Sequence, residues 1–223
     1  MVIEIIQREI PTRGVGYLIL RDCPEDRLAE GLKKGMERLK KAGANQVLAA
    51  SLPEGEPLHP GALDIWRLTH IHDILRLERP LPAEKPEHKL NLRSPKKGQE
   101  ESLYLDLVNR AFQEVPNAST LRSTDLRRQN HRYALAFRGD KPVGAFELDL
   151  SEQVPELASL AVEPSLRRQG LGRSLLRSAL DSLGAKASSC SLLVSSANPA
   201  ALALYESEGF VQTGVVSSWF EVV

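Results

Sequence analysis

Apolar residues recur every three or four positions in three stretches of the chain. These are Leu28, Leu32, Met36 and Leu39; Leu103, Leu107, Val108, Ala111 and Phe112; and Leu171, Leu175, Leu176, Ala179, Leu180 and Leu183. That spacing gathers each set on one face of a helix. The first helix opens at Pro24-Glu25-Asp26, where proline suits the first turn and the acids complement the positive end of the dipole. Gly43 and Gly184 offer stops for the first and third helices. Shorter apolar runs bounded by turn residues predict strands over 16–20, 46–50, 133–137, 143–150, 157–162 and 189–195. Between two of them, Arg138-Gly139-Asp140-Lys141 carries the Gly-Asp centre of a tight hairpin. Residues 199–208 read as a short helix and 210–222 as a final pair of strand segments. Period does not decide between helix and strand over 63–77, and proline and glycine make 51–60 a loop.

Pro80, Pro82, Pro86 and Pro95 fall within 16 residues. Proline lacks a backbone donor and pushes its predecessor toward extended geometry, so this stretch resists a long helix or a central strand. It predicts a boundary near Glu84, with a small α/β region over 1–84 and a larger one over 85–223. A short extended run at 89–93 opens the second. Its hairpin leads into strand, helix and strand, which predicts a mixed, mostly antiparallel α/β sheet flanked by helices.

Composition then narrows the classes. With 42% apolar and 26% charged residues in 223, the chain is globular rather than disordered. Lys plus Arg total 29, as do Asp plus Glu, so there is no basic surplus and no nucleic-acid partner is expected. Apolar runs fall far short of the ~20 residues that span a bilayer, and the first residues lack the apolar stretch of an export signal. A cytoplasmic protein with no membrane partner is therefore expected. Cys23 and Cys190 are too few for a disulfide framework or a zinc site.

The most informative segment is Leu160-Ala161-Val162-Glu163-Pro164-Ser165-Leu166-Arg167-Arg168-Gln169-Gly170-Leu171-Gly172-Arg173-Ser174. A strand ends, a basic turn follows, and two glycines open a helix. Helix N-termini present unpaired N–H groups and a partial positive charge, which together attract anions. Gly170 and Gly172 would let the backbone approach a phosphate without a Cβ in the way. From Glu163 to Arg177 one acid faces Arg167, Arg168, Arg173 and Arg177, a local excess of three positive charges. A polyanion site is one reading; a solvated basic helix start with glycines kept for packing is the other. The dinucleotide fingerprint would need glycine where Leu175 stands, and the ATP-type loop needs a Gly-Lys-Ser/Thr that the chain lacks. What remains is Arg-x-x-Gly-x-Gly, from Arg167 to Gly172.

This turn, the Leu-Ala-Val-Glu-Pro strand end before it, and Ala197-Asn198-Pro199-Ala200-Ala201-Leu202-Ala203-Leu204-Tyr205-Glu206-Ser207-Glu208-Gly209-Phe210 after it resemble the GNAT superfamily of acetyl-CoA-dependent N-acetyltransferases. The resemblance covers residues from about 89 to the C-terminus. The glycine turn alone is a weak signal; both motifs in order, with a helix and a strand between them, are a strong one. The resemblance implies a GNAT-like fold and acetyl-CoA as cosubstrate. It implies that main-chain amides of Arg168, Gln169, Gly170, Leu171, Gly172, Arg173 and Ser174 hold the diphosphate, with Arg167 beside them. Leu160, Ala161 and Val162 would meet the pantetheine arm as if it were an added strand. Backbone N–H near Leu160 would steady the tetrahedral oxyanion. Asn198 and Ala201 would contact the arm, and Tyr205 would protonate the departing thiolate, since a phenol with pKa about 10 is neutral and can donate. Helix ends explain both residues equally: Asn198 as the N-cap before Pro199, and Tyr205 as the apolar partner of Phe210 across a Gly209 stop.

Direct transfer needs a neutral amine, so a carboxylate must take its proton. In the ribosomal-protein alanine acetyltransferases that the C-terminal motif resembles, a glutamate lies on the strand before the Asn motif; here the matching position is Leu193. Related enzymes place a carboxylate on the strand at 157–162, which makes Glu156 the candidate base, with Glu147 and Asp149 behind it. Each also reads as a solvent-facing strand carboxylate. His70-Ile71-His72-Asp73 has no third ligand nearby and reads as a polar contact, so no metal is expected. Cys190 reads as a small buried hydrophobe.

The first region resembles the middle of a second, degenerate acetyltransferase unit. Pro24-Glu25-Asp26 replaces the glycine-rich turn, and acids there would repel a diphosphate. This region is expected to bind no CoA and to pack beside, or wall, the acceptor site. The whole reads as an acyltransferase moving acetyl from acetyl-CoA to a primary amine, on a small molecule or a peptide, with residues 113–123 shaping the acceptor site. A noncatalytic acyl-CoA-binding module is the rival, a nucleotide-binding protein the third reading, and oligomeric state stays open.

Overall fold

The computed structural model describes residues 2–22, 25–51, 68–86, 90–115, 118–185 and 187–222. Contacts divide the chain into two compact units. One comprises Met1–Leu75, Ser195–Ala197 and Gly214–Val223; the other comprises Arg76–Val194 and Asn198–Thr213.

The first unit contains β1 (Val2–Ile6), α1 (Ile10–Arg13), β2 (Val15–Asp22), α2 (Glu25–Lys41) and β3 (Gln46–Ser51). It also holds the first part of β4 (Leu68–Pro80) and the last part of β10 (Val211–Val222). Its strands run in the order β1-β2-β3-β10-β4. The β2–β3 pair is parallel and continuous from Val15↔Gln46 to Leu20↔Ser51. Leu28, Leu32, Met36 and Leu39 of α2 pack on Leu18, Leu20, Val47 and Ala49. Tyr17, Ile19, Leu48, Ala50 and Trp219 form a second cluster. Successive residues of β2 thus join different clusters, which is why it reads as an unbroken apolar run.

The second unit holds β5 (Asn91–Arg93), α3 (Gln99–Ala111), β6 (His131–Arg138), β7 (Lys141–Asp149), β8 (Glu156–Val162), α4 (Leu171–Asp181), β9 (Ser189–Ser195) and α5 (Pro199–Ser207). The order is β4-β9-β8-β7-β6-β5; β5 to β8 pair antiparallel, and β8 and β9 are parallel. This is the mixed, mostly antiparallel sheet flanked by helices that the sequence predicts. Tyr104, Leu107 and Val108 of α3 cover Leu135, Ala145 and Ala161. Leu175 of α4 lies against Gly144. Because Gly144 and Ala145 are consecutive on β7, α3 and α4 occupy opposite faces.

Several elements differ from expectation. Of 63–77, residues 68–77 belong to β4, while 63–67 lie outside the described residues. Residues 211–222 form one strand rather than a pair of segments. β1 escapes sequence reading because Glu4 interrupts a short run. The compact units divide inside β4, between Leu75 and Arg76, rather than near Glu84, and Gly214–Val223 groups with the first unit because β10 pairs with β3. The prolines mark where β4 ends. Cys23, Pro24, most of the loop at 51–60 and Lys89 lie outside the described residues.

Candidate active site

The site begins with a parallel strand pair that parts. β8 and β9 pair only at Glu156↔Ser191 and Leu157↔Leu192. A register shift in β8 against β7, between Glu147↔Ser159 and Leu148↔Leu157, leaves Ala158 as a bulged extra residue. Beyond it, the edge of β8 that faced β9 pairs with no other strand among the described residues through Leu160, Ala161 and Val162, and an extended chain could add there.

The helix that follows starts close to this opening. Gly170 is the N-cap of α4 in left-handed geometry (φ 76°), and no side chain caps the turn. Ser174 makes the first internal bond, donating its N–H to the Gly170 carbonyl at 3.2 Å. A Cβ at Gly172 would lie 3.3 Å from Leu204 Cδ2 and 4.0 Å from Val162 Cγ2, so this glycine brings α4 close to both α5 and the end of β8. The two glycines therefore have different reasons: a left-handed turn at 170 and close packing at 172. A third, Gly144, went unnoticed in the sequence; a Cβ there would meet the Ala161 carbonyl oxygen at 2.7 Å. A lone glycine in a strand pattern is the signal that could have found it.

The basic turn is less bare than its sequence implies. Glu208, with its side chain 2% exposed, accepts from Arg173 Nε at 2.8 Å and Arg177 Nε at 2.7 Å. Arg177 also pairs with Glu84 at 2.7 Å. Arg167 donates to the Ala111 carbonyl at 2.9 Å, and Glu163 pairs with Arg110. Two of the local positive charges, Arg173 and Arg177, are therefore met by carboxylates from outside the turn. Arg168, exposed and in left-handed geometry (φ 64°), takes part in none of these contacts; its neighbour Gln169 is also exposed. No spacing rule points to Glu208, because its role exists only once α4 and α5 are adjacent.

α5 shows both helix-end features. The Asn198 side-chain oxygen accepts from the Ala201 N–H at 3.1 Å and so caps the helix. Gly209 (φ 81°) ends the helix. Its N–H bonds the Glu206 carbonyl and that of Phe210 bonds the Tyr205 carbonyl, each at 3.0 Å, with the two rings 5.8 Å apart. Tyr205 is buried, and desolvation pushes its phenol up to about 12.

Glu156 sits at the paired end of β8 and lines a cleft of ≈ 350 Å³ with Arg76, Glu78, Asp149, Glu152 and Ser191. Desolvation, outweighing the Arg76 guanidinium 3.9 Å away, raises its carboxyl above the ordinary range. Glu147 is instead buried against His131, at 2.7 Å. Leu193, the first residue of β9 past the paired stretch, is 39% exposed. Elsewhere, His70 pairs with Asp73 at 2.9 Å and His72 stacks on Trp219. Cys190 is buried, its thiol pushed up to about 11. No helix among the described residues is long and apolar enough to cross a membrane.

A family model for the acetyltransferase (GNAT) family matches residues 96–210, which include the parting strands, the glycine turn and α5. The chain belongs to the GNAT family. Acetyl-CoA is that family's acyl donor. The chain is 30% identical over 163 residues to a mycothiol acetyltransferase of Thermobispora bispora, covering 66% of this chain and 54% of that protein. It is 40% identical over 65 residues to the [ribosomal protein bS18]-alanine N-acetyltransferase of Escherichia coli K12, covering 29% and 44%. The chain thus spans about half the length of the curated relatives it matches. A tandem GNAT protein from the clavulanic acid biosynthesis pathway has a similar fold: the TM-score is 0.55, with 14% identity, over 95% of this chain and 75% of that one.

Proposed function

We propose that this chain transfers the acetyl group of acetyl-CoA to a primary amine. The observation that carries the reading is the parting of β8 from β9 beside the uncapped start of α4. An extended pantetheine arm fits an open strand edge, and a diphosphate fits free helix N–H groups. Arg168, which takes part in none of the contacts above, supplies a guanidinium for it. The names of the curated relatives, both acetyltransferases, support the same chemistry.

In this reading the amine nitrogen adds to the thioester carbonyl carbon, and the carbon–sulfur bond breaks. Glu156 takes one proton from the ammonium form, for which its raised proton affinity suits it, and the second N–H proton, lost as the amide forms, restores the phenol that protonates the sulfur. Tyr205 gives a proton to the departing sulfur; its burial keeps the phenol neutral and raises the thiolate's own proton affinity by the same desolvation. We read the protein as cytoplasmic on its composition. We read the first unit as a partial second copy, since β2-α2-β3 repeats the order β8-α4-β9.

The test is thiol release from acetyl-CoA across a panel of amines. Amine-stimulated release is expected. A CoA-dependent thermal shift with no such release would replace this reading with that of an acyl-CoA-binding module.

A further inference from the structure

Glu156 does not stand alone on its row of the sheet. The β6–β7 register sets His131 opposite Asp149, and the β7–β8 register sets Asp149 opposite Glu156. Directly opposed strand residues share a face, with Cβ atoms roughly 5 Å apart. The bulge at Ala158 preserves this alignment, because it keeps Glu156 and Ser159 on one face although they are three positions apart.

Asp149 is fixed within this row. Its Oδ1 accepts from the Ser151 backbone N–H at 2.8 Å and from the Ser151 hydroxyl. Its Oδ2 lies 3.4 Å from His131 Nε2. His131 is itself held through Nδ1, 2.7 Å from Oε1 of Glu147, whose side chain is 5% exposed. Arg128 approaches the same Glu147 oxygen at 3.6 Å. These contacts give two carboxylates in one cleft opposite tendencies: the Ser151 bonds hold Asp149 below the usual carboxylate range, while desolvation holds Glu156 above it. Two neighbouring acids driven apart in this way take different roles.

We infer that Asp149 is the ammonium anchor of the acceptor site: its fixed carboxylate binds the incoming amine in its charged form and keeps it beside Glu156. The inference rests on the reading of Glu156 as base. It narrows the acceptor to strongly basic aliphatic amines, which arrive as ammonium ions because their pKa is about 10. Weakly basic aromatic amines, neutral on arrival, gain nothing from the anchor. The charged and titratable groups around Glu156 are Arg76 and Glu78 from β4, Glu147 and Asp149 from β7, His131 from β6, Glu152 from the β7–β8 connection and Cys190 from β9, which also contributes Ser191.

The test compares Asp149→Asn with the parent protein on one aliphatic amine and one aniline. The variant should raise KM for the aliphatic amine roughly tenfold, as loss of a hydrogen bond to a charged group implies, and leave the aniline within about twofold. The acidic limb of kcat/KM should also move to lower pH, because removing a neighbouring negative charge makes Glu156 a weaker base. An unchanged KM for the aliphatic amine, with CoA affinity intact, overturns the anchor. Equal losses for both amines overturn it too. Should Asp149→Asn lose CoA binding, Ser151→Ala offers the same comparison with an expected shift of about threefold. An acidic limb that persists in Glu156→Gln overturns the base reading, and the two-amine comparison still decides the anchor.

Discussion

Tyr205 of α5 has a structural task as well as the proposed chemical one. Tyr205 closes the helix against Phe210 through its ring, which phenylalanine would preserve. Tyr205→Phe is therefore expected to keep its melting temperature and CoA affinity while kcat falls roughly 10²-fold, the usual scale for a lost general acid. With the phenol pushed up to about 12, Tyr205 adds no basic limb to the rate profile below about pH 11. Glu156 acts at the other end of the range. Its carboxyl is raised, so the proposed base is already protonated, and kcat/KM already falling, at a pH where an ordinary carboxylate would remain ionised. Glu156→Gln should remove that acidic limb in a pH–rate series. Glu208 matters differently: burying one carboxylate between two guanidiniums makes either side expensive to remove. Glu208→Gln should cost about 2 kcal/mol in denaturant unfolding, since it removes the buried charged acceptor that Arg173 and Arg177 share.

At the scale of elements, the same strand–helix–strand order appears twice with opposite outcomes. β8 and β9 separate after two register pairs, whereas β2 and β3 stay paired through six. A closed pair satisfies its own backbone groups and offers no edge to an extended arm. α4 is positioned by contact without a spacer: Gly144 lets Leu175 reach the sheet, and Gly172 lets α5 approach. Gly144→Ala forces a Cβ against the Ala161 carbonyl oxygen and should cost about 2 kcal/mol in thermal unfolding. Because Ala161 lies on the open stretch of β8, CoA affinity should fall as well, which calorimetry of the same variant would reveal.

For the whole molecule, the proposed function predicts one coenzyme per chain. A calorimetric titration with acetyl-CoA should give a stoichiometry near one; two equivalents would mean that the first unit binds as well. The zero net charge of the chain conceals local asymmetry. The cleft beside Glu156 holds four carboxylates, Glu78, Asp149, Glu152 and Glu156, against Arg76. The glycine turn, for its part, offers main-chain donors and the exposed guanidinium of Arg168.

Local sequence determined the four longer helices, most strands, the hairpin and both motif ends, because apolar period, glycine and proline act within a few residues. Asn198 as a cap and Gly209 as a stop are legible for that reason. The pairing of distant elements is not local. Only the tertiary structure decided that β8 and β9 part after Leu157, that Glu208 answers Arg173 and Arg177, and that 68–77 is a strand, whose burial depends on neighbours far away in the chain. The cleft at Glu156 belongs to the same class: Arg76, Asp149 and Glu156 come from three strands, and only sheet register brings their charges into one place.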